Sequence, residues 1–297
     1  MKDDTMTHIA SRNGSEARAR VGSARLVSTT SSPDPLAQRS VRIWSAGDYD
    51  RISAGFRGGA EAFVARRGLK ARQQVLDVAC GSGNLTIPAA RSGAAVTGLD
   101  IVGALLNDAA RWADSEGLSV TLDAGNAEAL PYDDAQFDVV MSMFGVMFAA
   151  RPDRVVAELA RVTRPGGYVA LANWTRRGFI GQMLAMHGAA VPPPAEIPSP
   201  LLWADDAVLR ERFDDRTWRL TTIPRTLTFH YFHTPAGTAE LFRAAYGPTV
   251  RTFEALDEDG RASFAAALRE HWTRHNRPGS TSTEVESEYL EVVAVRL

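Results

Sequence analysis

The stretch Val75-Leu76-Asp77-Val78-Ala79-Cys80-Gly81-Ser82-Gly83-Asn84 constrains this chain more than any other. An apolar run closes on a carboxylate, glycines turn the chain, and a helix-compatible segment follows. Strand, tight glycine loop and helix in that order form the first unit of an α/β sheet that holds a nucleotide-like ligand at the carboxyl end of its first strand. Asp77 narrows the ligand: a pyrophosphate here would meet a second negative charge, whereas a ligand with cationic groups would be attracted. The third glycine of a dinucleotide fingerprint, which allows close helix–strand packing, is missing, because Thr86 stands three positions after Gly83. Asp100 ends the next apolar run, Ala94–Leu99, and lies 17 residues beyond Gly83. That is near the spacing of a carboxylate that holds two ribose hydroxyls.

The segments around this loop alternate as a doubly wound sheet requires. Strands are expected at 74–79, 95–99, 119–123, 137–143 and 167–173, with helices at 83–91, 101–116 and 152–163. Gly93, Gly117 and Pro165-Gly166-Gly167 punctuate their ends. With 297 residues, 45% of them apolar, the chain can bury the core of one large domain or of a domain with a lid. A net charge of −2 supplies no electrostatic reason to bind nucleic acid or an anionic membrane. A single cysteine, Cys80, excludes an intramolecular disulfide, and it reads as a small loop residue rather than a nucleophile. The longest apolar run, Val139–Ala150, is interrupted by Ser142 and Gly145 and is too short to span a bilayer. No secretory apolar region precedes it, so a cytoplasmic protein is expected. Residues 1–38 are rich in Ser, Thr, Arg and Gly without apolar periodicity and are expected to be a disordered leader. Their arginines suggest a transit peptide, but Asp3, Asp4 and Glu16 argue against one.

Residues 41–175 resemble the class I S-adenosylmethionine-dependent methyltransferases, in particular the small-molecule group near the ubiquinone and menaquinone enzymes. The matching pieces are Val75–Asn84, Val96–Asp100, Gly125-Asn126-Ala127-Glu128-Ala129-Leu130-Pro131-Tyr132, Phe137–Val140 and Arg164-Pro165-Gly166-Gly167. The resemblance implies a Rossmann-like, doubly wound, seven-stranded and mostly parallel sheet with an antiparallel last strand, plus a helical cap and lid. Strands at 221–232 and 289–297 complete that sheet, with two helices over 235–275 between them. Leu241, Phe242, Tyr246, Phe253, Phe264 and Leu268 fall on their apolar faces. Residues 39–297 are then one domain. Cap helices occupy 39–70, the cofactor core 71–175, a lid insertion 176–216, and the last strands and helices 217–297.

The resemblance implies S-adenosylmethionine (SAM) as cofactor. It assigns cofactor contacts to Asp77, Ala79, Gly81, Gly83, Asp100, Ile101, Asn126, Ala127, Ser142 and Tyr49. An acidic residue commonly stands where this chain has Asn126. The carbonyl oxygen of Asn126 can still accept from the adenine amino group without the charge-assisted component, and Ala127 can offer its backbone N–H. The Arg164–Gly167 turn and Glu128 read as structural. In the cap, Trp44 and Tyr49 either face the cationic sulfur with their rings or only pack the cap helices.

Nucleobase methylases of the family often carry an Asn-Pro-Pro-Tyr-like element after the fourth strand. Here Ser142-Met143-Phe144-Gly145-Val146-Met147-Phe148 stands instead. Phe144 and Met147 either line an adaptable apolar acceptor pocket or belong to the ordinary core. Trp174 and Trp203 complete the expected pocket, with Trp203 anchoring a proline-rich lid. No cluster has metal-ligand spacing. His187, His230 and His233 are candidate general bases, each more readily explained as an ordinary structural histidine. The expected partner is a small, largely apolar methyl acceptor whose reacting atom stays open between oxygen, nitrogen and carbon, with the protein a monomer or homodimer. A SAM-binding enzyme without methyl transfer, such as a cyclase or decarboxylase, and a non-catalytic SAM-binding module are the alternatives.

Overall fold

Each parallel strand of the central sheet is a short apolar run flanked by helices, the pattern of strands covered on both faces. The computed structural model describes residues 34–297. The leader expectation lies outside those residues for 1–33. The first helix already begins at Pro35, where Asp34 accepts a hydrogen bond from the Leu36 N–H, so 34–38 belong to the folded part.

The strands are β1 (Gln74–Val78), β2 (Ala95–Asp100), β3 (Thr121–Ala124), β4 (Phe137–Met143), β5 (Thr163–Trp174), β6 (Trp218–Tyr231) and β7 (Thr283–Arg296). They form one sheet in the order β3-β2-β1-β4-β5-β7-β6. Only β7 runs antiparallel to its neighbours, β5 and β6. This is the seven-stranded sheet expected from the sequence. Phe137 pairs with Thr163 and Val139 with Tyr168, so Arg164–Gly167 bulges out of the ladder. That places the expected turn inside the start of β5.

The helices are α1 (Pro35–Trp44), α2 (Tyr49–Ser53), α3 (Arg57–Ala65), α4 (Thr86–Arg91), α5 (Gly103–Ser115), α6 (Pro152–Val162), α7 (Phe179–Ala190), α8 (Asp206–Arg212), α9 (Pro235–Ala245), α10 (Gly247–Ala255) and α11 (Glu258–His275). Residues 235–275 hold three helices rather than the expected two. Pro248 sits in the first turn of α10 and cannot continue the preceding helix. Asp257 then caps α11 by accepting from the Gly260 N–H. Among the described residues no helix is long and apolar enough to cross a membrane.

The far half of the molecule is held by an aromatic core. Phe242 and Trp272 lie 4.7 Å apart, Phe179 and Trp272 4.5 Å, and Phe229 and Trp272 6.4 Å, centroid to centroid. One buried charge also ties helix to sheet. The Glu291 side chain on β7 is 1% exposed and pairs with Arg66 at 2.6 Å, Arg67 at 2.5 Å and Arg225 at 3.6 Å.

The expected lid at 176–216 lies elsewhere. Its 3-10 turn, Pro200–Ala204, packs on β5 and on the 3-10 turn Val146–Phe148. Trp203 is buried there with Phe213 6.5 Å away. In a stretch broken by prolines, Leu201 and Trp203 bury against the sheet instead of presenting an apolar face above a cavity.

Candidate functional site

In a sheet ordered this way, the chain departs in opposite directions from β1 and β4, leaving a crevice at their carboxyl ends. A cavity opens there, with about 1000 Å³ of free space including its open mouth. Asp77, Ala79 and Gly81 arrive from β1 and its loop, Asp100 and Ile101 from β2, Asn126 and Ala127 from β3, and Phe144 from β4. Trp44 and Tyr49 come from the cap. The cover is therefore made by α1 and α2 and not by 176–216.

The loop is shaped by backbone conformations that few side chains tolerate. Gly81 has φ +55° and Gly83 φ +97°, which glycine adopts freely. Gly83 does not line the cavity. A Cβ there would stand 3.2 Å from both Ala109 and Ile87, so Gly83 lets α4 and α5 close on the loop. Ala79 (φ +55°) and Phe144 (φ +57°) adopt the same left-handed region without being glycine. They sit at the carboxyl ends of the two central strands, the kind of place where local strain of about 1–3 kcal/mol is retained for a site.

The acidic groups follow from the same elements. Asp100 is buried and accepts from the Gly81 N–H and the Val102 N–H, each at 2.8 Å. Burial raises its carboxyl above the ordinary range against those hydrogen bonds. Asp77 is also buried and accepts from the Thr86 hydroxyl at 2.6 Å. Burial first, and the Asp100 charge after it, push Asp77 up to about 7. Tyr49, whose ring lies 3.6 Å from where a Gly81 Cβ would stand, has its hydroxyl pushed up by burial and by Asp100.

Because Asp77 keeps its proton in the folded state to about pH 7, the unfolded chain ionises first as pH rises from about 4. Folding stability attributable to this group is full below that range and is lost as pH rises through about 7. Ligand-free wild type should therefore match Asp77→Asn near pH 4. It should fall behind by about 1.4 kcal/mol per pH unit between those limits. Thermal melts of both proteins from pH 4 to 8 check this, and parallel profiles would contradict it.

Several expected site residues stand outside the cavity wall. Ser142 donates to the Val78 carbonyl at 2.7 Å and accepts from the Val146 N–H at 3.1 Å, joining the ends of β1 and β4. Trp174 stacks behind Phe144 at 3.5 Å between centroids, and Met147 and Trp203 are core. No histidine lines the cavity among the described residues. His187 is buried, with its ring nitrogens on the Met183 carbonyl (2.7 Å) and the Thr249 hydroxyl (2.8 Å), and burial lowers it to about 4. His230, on β6, and His233, just after it, are exposed and outside the cavity wall. The Asn126 carbonyl oxygen already accepts from the Glu128 N–H at 3.0 Å, which leaves one lone pair for a ligand.

Sequence reasoning missed Ala37 and Ser40 of α1, Phe56, Asn84, Met143 and Phe148, all in the wall. The Asn84 side-chain oxygen is buried without a hydrogen-bond partner, so this wall residue carries an acceptor that suits an ammonium donor. Among the described residues the wall holds three acidic side chains, Asp77, Asp100 and Glu128, and no lysine, arginine or histidine. The same wall carries the aromatic rings of Trp44, Tyr49, Phe56, Phe144 and Phe148, with Tyr49 lying against the Gly81 loop. These features fit a ligand with cationic and ribose-like parts and disfavour a pyrophosphate. No group of three His, Cys, Asp or Glu side chains with metal-holding geometry occurs among the described residues.

Residues 76–171 match a family described as a methyltransferase domain. An uncharacterised protein of Mycobacterium tuberculosis is 33% identical over 264 residues, covering 87% of this chain and 94% of the relative. A ubiquinone/menaquinone biosynthesis C-methyltransferase of Bdellovibrio bacteriovorus is 36% identical over 150 residues, 48% of this chain and 64% of the relative. The crystal structure of a putative methyltransferase from Bacillus halodurans superposes with TM-score 0.55 at 18% identity, covering 80% of this chain and 97% of that one, and it shares the fold.

Proposed function

The chain belongs to the class I S-adenosylmethionine-dependent methyltransferases, and we propose that it transfers a methyl group from SAM to a small, uncharged, largely apolar acceptor in the cytoplasm. The observation that carries this reading is one cavity lined by acidic side chains and aromatic rings, with no basic side chain among the described residues of its wall. Bound SAM supplies an electrophilic methyl group on a positively charged sulfur. Asp100 is read as the holder of the ribose hydroxyls, the Asn126 side chain and Ala127 N–H as the adenine contacts, and the Gly81 loop with Asn84 as the seat of the amino-acid end. Trp44, Tyr49, Met143, Phe144 and Phe148 are read as the acceptor's walls.

A phosphorylated or carboxylated acceptor would find no basic side chain among the described residues of the wall to offset the cost of taking its charge out of water, which selects against it. With no histidine in the wall, proton removal is not assigned to a side chain. A phenol, quinol or enol is bound neutral and gives its proton to solvent as the methyl group is transferred and S-adenosylhomocysteine is left. The protein's part is alignment and exclusion of water. His230→Ala and His233→Ala should accordingly keep kcat/KM within about twofold of wild type, where loss of a general base costs about 10²–10⁴.

The test is an acceptor screen scored by S-adenosylhomocysteine release. It should include neutral phenols, quinols and enols alongside phosphorylated amines, RNA and protein. Turnover of the neutral apolar compounds is expected. Turnover confined to RNA, protein or phosphorylated acceptors would reject the reading, as would conversion of an acceptor without release of S-adenosylhomocysteine.

A further inference from the structure

Helix α1 buries none of its residues fully, yet Ala37, Ser40 and Trp44 close one side of the cavity. Such a helix is held by its ends rather than by a core face. At its C-terminal end the Trp44 ring packs edge-on against Tyr49, Phe148 and Tyr246 at 4.9–6.0 Å. The Arg251 guanidinium there donates twice to the Arg42 carbonyl, at 3.0 and 2.8 Å. At its N-terminal end the described attachment is Arg151, which grips the cap residue Asp34 through both terminal nitrogens, one of them at 3.0 Å. This pair holds the Asp34 carboxyl down at about 2.

The same guanidinium donates to Glu128 at 2.7 Å, and the Arg151 N–H donates to the other Glu128 oxygen at 2.9 Å. The Glu128 side chain is only 7% exposed. Glu128 belongs to the turn in which Asn126 accepts its N–H, and Asn126, Ala127 and Glu128 also line the cavity. One arginine therefore bridges two walls through charge-assisted hydrogen bonds, the stronger kind. α1 is hinged at Trp44 and fastened at Asp34.

We propose that Arg151 is a positioning residue that joins the turn at Asn126–Glu128 to the covering helix α1, so that a ligand held by the turn also keeps the cover closed. This rests on reading the cavity as a SAM site. A ligand biases the cover only as far as it binds the closed arrangement better, and Arg151 supplies that difference by tying the turn's position to the cover's.

The experiment is stopped-flow binding and release of S-adenosylhomocysteine with the full chain, read by tryptophan fluorescence, for wild type, Arg151→Ala, Arg151→Lys and Asp34→Asn. Arg151→Ala should raise the release rate by roughly five- to thirtyfold, within the ordinary range of coupling between sites. It should raise the association rate as well, so that Kd changes less than either rate. Added salt should speed release from wild type and leave Arg151→Ala nearly unaffected, because the Asp34–Arg151 pair is partly exposed and screened. Asp34→Asn keeps an oxygen for the Leu36 N–H and carries the test if the alanine variant folds poorly. Its combination with Arg151→Ala should release no faster than Arg151→Ala alone. Lysine lacks the bidentate fork and should restore only part of the wild-type retention. Wild-type rates in both Arg151→Ala and Asp34→Asn would overturn the proposal while leaving the SAM reading intact. Folded wild type that does not bind S-adenosylhomocysteine would overturn both.

Discussion

Asp100→Asn is expected to lower SAM affinity at least about 100-fold, because it removes charge-assisted hydrogen bonds of about 1.5–3 kcal/mol each and disturbs the loop that frames the site. The two Asp100 oxygens each accept a backbone N–H, from Gly81 and from Val102. A carboxylate can do this and still accept from ribose hydroxyls with its remaining lone pairs. An amide has one acceptor oxygen. Its NH₂ would face one of those two N–H donors, so the Gly81 loop or the start of the next helix must shift. Isothermal calorimetry on the folded variant reads the effect directly. Binding within about threefold of wild type would show that Asp100 is a loop residue and no more.

Glu291→Ala should cost about 3–5 kcal/mol of folding stability, the range for breaking a buried ion pair from one side. Glu291 is 1% exposed, and Arg67, 7% exposed, has no other acidic partner among the described ion pairs. Removing the carboxylate leaves Arg66, Arg67 and Arg225 facing one another across a cavity where the end of α3 meets β6 and β7. Urea denaturation of wild type and variant measures the loss, and a difference under about 1 kcal/mol would mean that water solvates these arginines. The cluster lies outside the cavity wall, so SAM affinity of the folded fraction should stay near that of wild type.

The site's acidic residues were legible because the signal is local: a carboxylate closes β1 before the glycine loop and another closes β2, and both Asp77 and Asp100 reach the same cavity. The sheet was legible for the same reason over β1 to β5. Its last two strands are longer than expected. Thr283-Glu284-Val285-Glu286-Ser287-Glu288 alternates buried and exposed at period two, a strand signal that a start at Tyr289 leaves out. The cover was legible in part: the resemblance placed cap helices at 39–70 with Trp44 and Tyr49, but not the first turn of α1 at Pro35. α1 has no apolar run to mark it as a wall, and whether Trp44 or Trp203 faces a cavity depends on packing between segments far apart in the chain. The left-handed backbone at Ala79 and Phe144 gave no residue-type signal, since glycine is what usually marks it. The histidines fail as bases for a tertiary reason as well. His187 is consumed by Met183 and Thr249, and His230 lies on an outer face of β6.

The central claim is that this acidic cavity takes SAM and not a dinucleotide. Calorimetric titration of the wild-type chain with SAM and, separately, with NAD tests it most directly. The account predicts saturable binding of SAM at one site per chain and no measurable heat with NAD. Binding of NAD without binding of SAM would contradict it and return the glycine loop to a dinucleotide site.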